Sequence, residues 1–325
     1  YKGQIQNSSS DMFIVKTGGT LGIDCTHTTI ASAITDASSN QKIIFIKDGT
    51  YTEALTLISG IQLIGESRSD TIIQQTSGST PVITIQDISD VAIKNLQIVT
   101  SGTASGAGVY VYSTTATAID SILIKDNIFN VISYSIVADN ESTTGTSNWT
   151  NFIIENNYIN GNSLRGDLRI LVGASGGTAV NVNYIQIINN IFYNCYQLNG
   201  GTTYNATTGS GCATIDIANA SSLCVMKYVT IKGNIIFTAV SSGTYSCGIR
   251  TIVVGTGTLN YVNITGNQIN LSTATNRGGI WLCKGASATS SYITVNGNFY
   301  SGYTTTDYYG VNGVTVGSRF GDNPA

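Results

Sequence analysis

One signature recurs seven times along this chain. An apolar–x–apolar run closes on the same short turn in VAIKNLQI, ILIKDNIF, FIIENNYI, IQIINNIF, VTIKGNII, VNITGNQI and ITVNGNFY. These turns centre on Leu96, Asn127, Asn157, Asn190, Asn234, Asn267 and Asn298, at steps of 31, 30, 33, 44, 33 and 31 residues. A unit of this length cannot bury its own apolar face, so it must stack on its copies. The repeat therefore dictates a solenoid before any other feature is weighed.

Each repeat holds more than one strand. Residues before the anchor alternate, as in Ile122, Ile124 and Val262, Ile264, and period two marks a strand with one buried face. A second strand follows most anchors: GVYVY at 108–112, LRILV at 168–172, GIRTIVV at 248–254, GGIWL at 278–282 and GVNGV at 310–314. Asparagine tolerates the positive φ of a tight turn. The spacing thus assigns that turn conformation to Asn127, Asn157, Asn190, Asn234, Asn267 and Asn298. Repeated in register, their amides would form a ladder.

The beginning differs. Thr28 and Thr29 precede Ile30, Ala33, Ile34 and Ala37, a short amphipathic helix with a threonine cap. Laid over the first coil, it supplies the end-cap that solenoids require. The expected organisation is a lead-in over 1–27, one solenoid domain over 28–320 with its capping helix at 28–40, and a tail over 321–325.

The segment TIASAITDASSNQKIIFIKDGTYTEALTLISGIQLIGESRSDTIIQ resembles the opening of the pectin-lyase-like superfamily. It is most similar to pectin methylesterases and to a related segment of phage tail proteins. KDGTYTE and LIGES, within 28–99, carry the specific part, and 100–320 carry the generic repeat. The resemblance implies an all-β fold, a right-handed parallel β-helix. It also implies where chemistry would be sought. Esterases of the family use two aspartates with Gln and Arg near a Gln-Asp-Thr-Leu run, but the corresponding stretch here reads NVISYSIVADN. Polygalacturonases use an Asp cluster and a Gly-His-Gly, whereas the one histidine here is His27, in the cap region. These missing runs argue against catalysis. If the chain is an enzyme, the group to test is Asp167, Asp216, Arg169 and Arg250, which stacked coils could gather. General acid/base work needs ionisable groups held together in a cleft.

Chemistry is sought in what varies between coils. Aligning the second strands places Tyr110, Arg169, Asp216, Arg250, Trp281 and Asn312 in one outward stripe, at the ~4.8 Å spacing of neighbouring strands. Aromatic, guanidinium, carboxylate and amide groups together suit sugar binding, although a plain solvated face would read the same way. Cys212 and Cys247 precede matching strands and are read as either a disulfide or a buried thiol pair. The long step before Asn234 contains YQLNGGTTYNATTGSG at 196–211, the type of loop that commonly carries recognition.

Charged residues make up 10% of the chain, against the usual ~25%. Ser, Thr, Asn and Gly supply the polar surface instead, which suits an outer surface, a virion or the extracellular space. A net charge of −3 offers no footprint for nucleic acid, and no apolar run approaches the ~20 residues of a membrane span. No CxxC pair or acidic cluster calls for a metal or cofactor. The first reading is a non-enzymatic structural or attachment protein, a virion spike, fibre or capsid-associated β-helix. Its expected partners are a cell-surface polysaccharide or glycan, other virion or surface proteins, and copies of itself. The alternatives are a polysaccharide-active lyase, esterase or hydrolase, and a surface-layer building block.

Overall fold

The computed structural model describes residues 12–37, 42–101, 106–115, 117–140, 146–160, 168–172, 180–193, 212–219, 224–239, 246–253, 255–272, 277–284, 287–301, 306–310, 316–320 and 323–324. Among them, every strand pairs in parallel with its counterpart one coil away, forming three sheets of eleven, ten and nine strands. The first sheet holds the strands that lead into the anchors, from Met12–Val15 to Val316–Phe320. The second holds the short strands that leave them, such as Ile128–Asn130 and Tyr158–Asn160. The third holds the variable strands, among them Val109–Ser113, Leu168–Val172, Cys212–Asn219, Ser246–Val253 and Arg277–Lys284. This is the all-β parallel β-helix that the repeat demands.

The inward residues form continuous columns. In the first sheet Ile44, Leu63, Ile93, Ile124, Ile154, Ile187, Ile231, Ile264 and Val295 pair in unbroken register, and all are fully buried. The second sheet stacks Ile98, Phe129, Ile159, Phe192, Ile236, Ile269 and Tyr300 likewise. Burying each such side chain contributes about 1.5–3 kcal/mol, so the stack as a whole, and no single coil, holds the fold. Branched side chains suit these columns because they pack well on a pleated surface.

The asparagine ladder is present and continuous. Each anchor from Asn127 to Asn267 donates its backbone N–H to the next anchor's Oδ1, as in Asn157 to Asn190 at 3.0 Å and Asn190 to Asn234 at 2.9 Å. Its Nδ2 donates to the same oxygen and to a carbonyl of the preceding coil, as in Asn157 to Ile124 O at 2.9 Å. All six asparagines are buried. Leu96 begins the series and donates its N–H to Asn127 Oδ1 at 3.1 Å. The expected turn conformation belongs to a different residue, however. Positive φ falls one position earlier, at Asn95, Asp126, Asn156, Asn189, Gly233, Gly266 and Gly297. The anchor's amide is needed inside, so the less buried residue before it makes the reversal.

The helix spans Ile30–Asp36, shorter than the expected 28–40, with Thr29 as N-cap accepting from Ser32 N. Glu53 receives the N–H groups of Ile30 and Ala31 at 3.0 and 2.8 Å, satisfying orphan donors of the first turn. His27 lies beside this cap, largely buried, with Nδ1 2.9 Å from Thr26 Oγ1 and Nε2 3.0 Å from Asp36 Oδ2. The solenoid extends past the expected 28–320 at both ends. Met12–Val15 pairs with Ile43–Ile46, and Asn323–Pro324 pairs with Phe299 and Tyr300.

The motifs that resemble the pectin-lyase-like opening have structural tasks. Tyr51 of KDGTYTE donates to Lys47 O at 2.8 Å. A Cβ at Gly65 of LIGES would lie 2.1 Å from Asn95 O, so only glycine lets the next coil approach. Arg68 spans two turns, with Nη2 donating to Asn127 O and Asn156 O at 2.9 and 3.1 Å.

Candidate functional site

The third sheet assembles the expected stripe. Its register runs Thr84, Tyr110, Val137, Arg169, Asp216, Arg250, Trp281 and Tyr309. Tyr110, Arg169, Asp216, Arg250 and Trp281 therefore share one row, with Val137 inserted between the first two. The last strand is Thr306–Gly310 instead of 310–314, which puts Tyr309 where the sequence reading had Asn312. Asn312 and Asp167 lie outside the described residues, as does the loop 196–211.

The middle of this row is closed. Asp216 and Arg250 are 7% and 4% exposed. They form a two-pronged ion pair, Arg250 Nε to Asp216 Oδ1 at 2.9 Å and Nη2 to Oδ2 at 2.7 Å. Burial works against the guanidinium charge, but the carboxylate beside it prevails and holds the Arg250 pKa well above its ordinary value. Around the pair Ala213, Ala218, Cys247, Ile252, Trp281 and Cys283 make a second buried cluster, separate from the interior columns. The expectation of an outward, sugar-accessible stripe thus fails at Asp216, Arg250 and Trp281, because these side chains are buried. Towards the N-terminus the row opens. Tyr110 stacks on Tyr112 with ring centroids 4.7 Å apart, and Arg169 donates to Tyr134 Oη at 3.2 Å while lying over its ring.

In register, Cys212 stands beside Ser246, and Cys247 beside Ala213. The two cysteines are thus offset by one residue in the register. The in-register stack expected of them, as disulfide or thiol pair, is absent from the ladder. The side chain of Cys212 lies outside the described residues.

A row that sequence reasoning missed runs across the middle of the first sheet's strands, on their outer face. Six residues before each anchor the backbone takes positive φ, at Asp90, Ser121, Asn151, Tyr184, Tyr228, Tyr261 and Tyr292. The early coils use residues that accept this conformation, but the last four use tyrosine, whose bulk disfavours it. These four rings are exposed. They stack with centroids 4.8, 4.9 and 4.7 Å apart and interplanar angles of 7, 11 and 2°. Left-handed backbone costs about 1–2 kcal/mol per residue, and an aromatic pair returns about 0.5–1.5 kcal/mol. Four such residues cost about 4–8 kcal/mol and three stacked pairs return about 1.5–4.5 kcal/mol, so the stack offsets only part of its strain and gives no net reason of stability for tyrosine here. Its signal was legible as Tyr at anchor minus six in NYIQI, KYVTI, NYVNI and SYITV.

Several solved structures show a limited similarity to this chain. Pectin methylesterase PemA from Erwinia chrysanthemi is 14% identical, with a TM-score of 0.43 over 95% of this chain and 92% of that one. Pectin methylesterase from carrot is 12% identical, with a TM-score of 0.41 over 96% and 88%. Alginate lyase from Paenibacillus is 12% identical, with a TM-score of 0.33 over 90% and 94%. No protein-family model matches the sequence, and no curated protein matches it. The fold assignment rests on the strand ladders themselves.

Proposed function

We propose that this protein is a non-enzymatic attachment β-helix of an outer surface, of a virion or a cell, which holds a surface glycan without turning it over. The observation that carries this reading is the buried ion pair. General acid/base catalysis requires a carboxylate that can reach substrate and exchange a proton. Asp216 has both oxygens engaged by Arg250, and the pair is almost fully excluded from solvent. Its register neighbours are two arginines, Arg169 and Arg250, so the described part of the row holds no second carboxylate to divide acid and base roles. The charge-poor, hydroxyl- and amide-rich composition supports an exterior location.

One observation favours the enzymatic alternative: Arg169, Asp216 and Arg250 do align on one sheet face, as a polysaccharide-active site would need. Prolonged incubation with pectin, polygalacturonate and alginate separates the two readings. Methanol, new reducing ends and unsaturated uronides should all stay at the level of a protein-free control. Product formation that disappears in a folded Asp216→Asn variant would overturn the proposal.

A further inference from the structure

We propose that the exposed tyrosine ladder, Tyr184, Tyr228, Tyr261 and Tyr292, is a binding track for a neutral, linear polysaccharide lying along the helix axis. The inference rests on the glycan-attachment reading above and gives it a place and a ligand class. The rings stack on one another, so their faces are mutually covered and their edges point to solvent. Each edge ends in a phenol that both donates and accepts, repeated every 4.7 to 4.9 Å. Tyr292 ends the stack among the described residues. It is 68% exposed, so its outer side can take a sugar ring in the way aromatic surfaces do.

The flanking rows fix the ligand class. On one side Asn183, Lys227, Asn260 and Ser291 pair in register, and on the other Gln186, Thr230, Asn263 and Thr294. Amides and hydroxyls thus line the track on both sides, with Lys227 as the single charge. Described first- and second-sheet strands from Val180 onward contain no Asp or Glu. An acidic polymer would want a cation in every coil, and a metal-bridged one would want carboxylates. This surface offers neither, whereas a neutral chain needs paired hydroxyl partners at short, regular intervals. The backbone supports the same conclusion. Asp90, Ser121 and Asn151 hold the equivalent turn without an aromatic ring, so four strained tyrosines point to a task other than turning the chain.

The equivalence of these positions supplies the test. Tyr228→Asn/Tyr261→Asn places at the ladder the residue that Asn151 already is, and the melting temperature should stay within about 5 °C of wild type. Binding would be measured by calorimetry and affinity electrophoresis against galactomannan, mixed-linkage β-glucan and dextran, with polygalacturonate as the acidic comparison. Wild type should bind at least one neutral polymer with little dependence on salt, and the double variant should lose about tenfold or more in affinity. Tyr228→Phe/Tyr261→Phe, which keeps the stack and removes the hydroxyls, should show a smaller loss. Undiminished glycan binding by the folded Asn variant would overturn the track while leaving attachment intact. A preference for polygalacturonate that vanishes in salt would overturn the neutral class. Absence of binding to every glycan by wild type would overturn both the track and the attachment reading.

Discussion

Asp216 and Arg250 are better understood as one buried unit than as two functional groups. Removing the carboxylate alone leaves a guanidinium excluded from water, and breaking such pairs costs about 3–5 kcal/mol. Asp216→Ala should therefore lower the unfolding free energy in urea by that order, while Asp216→Leu/Arg250→Met should recover most of the loss. A loss below about 1 kcal/mol in the single variant would mean that the pair is solvated. Asp120 gives a pH-dependent counterpart. The Thr150 hydroxyl holds its carboxyl below the usual range, against the opposing effect of burial, and the Asn151 amide adds to the lowering. A lowered folded pKa contributes stability above the ordinary value of about 3.9, which is lost as pH falls through the folded value. Thermal melts across the acid limb should thus be flatter in Asp120→Asn than in wild type, and the two should differ least at the lowest pH. The sequence made Asp216 and Arg250 neighbours correctly, because register follows the repeat. It could not reveal their burial, because that depends on what covers the outer face.

At the scale of the repeating element, the ladder is the most demanding piece of the structure. Asn190 supplies the acceptor for the N–H and the amide of Asn157 at 3.0 Å each, and its own amide reaches Ile154 O at 2.9 Å. Asn190→Ala would strand buried donors and an acceptor, each worth about 1–3 kcal/mol when left unpaired. A loss of at least about 3 kcal/mol in chemical denaturation is expected, and a loss under 1 kcal/mol would mean that water or backbone shifts replace the ladder. These six asparagines were legible because they recur without variation. The turn residue was misassigned to them because sequence alone offers two adjacent positions, as in Asn156-Asn157 and Asn189-Asn190, that tolerate positive φ equally well. In later coils the pairs Gly233-Asn234, Gly266-Asn267 and Gly297-Asn298 resolve the choice, since glycine takes the left-handed position and asparagine the ladder. The tyrosine row escaped notice for the opposite reason. Period-two reading takes Tyr184, Tyr228, Tyr261 and Tyr292 as ordinary strand residues, whereas each sits at a break between two register segments.

For the whole molecule, the solenoid separates support from presentation. Three parallel sheets enclose continuous apolar columns, and the same inward residues recur in each coil, so the interior says little about function. Differences between coils appear outside, and two of them have opposite character. The third sheet carries ionisable groups that are paired and buried, and the first carries aromatic groups that are exposed and strained. The fold was readable because a repeat states its architecture many times over. The division between a closed row and an open one was not, because accessibility is a property of the assembled surface and is not encoded in any single repeat. Hydroxyl-radical footprinting, read residue by residue by mass spectrometry with and without a bound neutral polysaccharide, addresses this division directly. Tyr184, Tyr228, Tyr261 and Tyr292 should react readily in the free protein and be shielded when glycan is bound, while buried Trp281 should react weakly in both. Shielding confined to the third sheet, or a ladder equally reactive with and without ligand, would contradict this division.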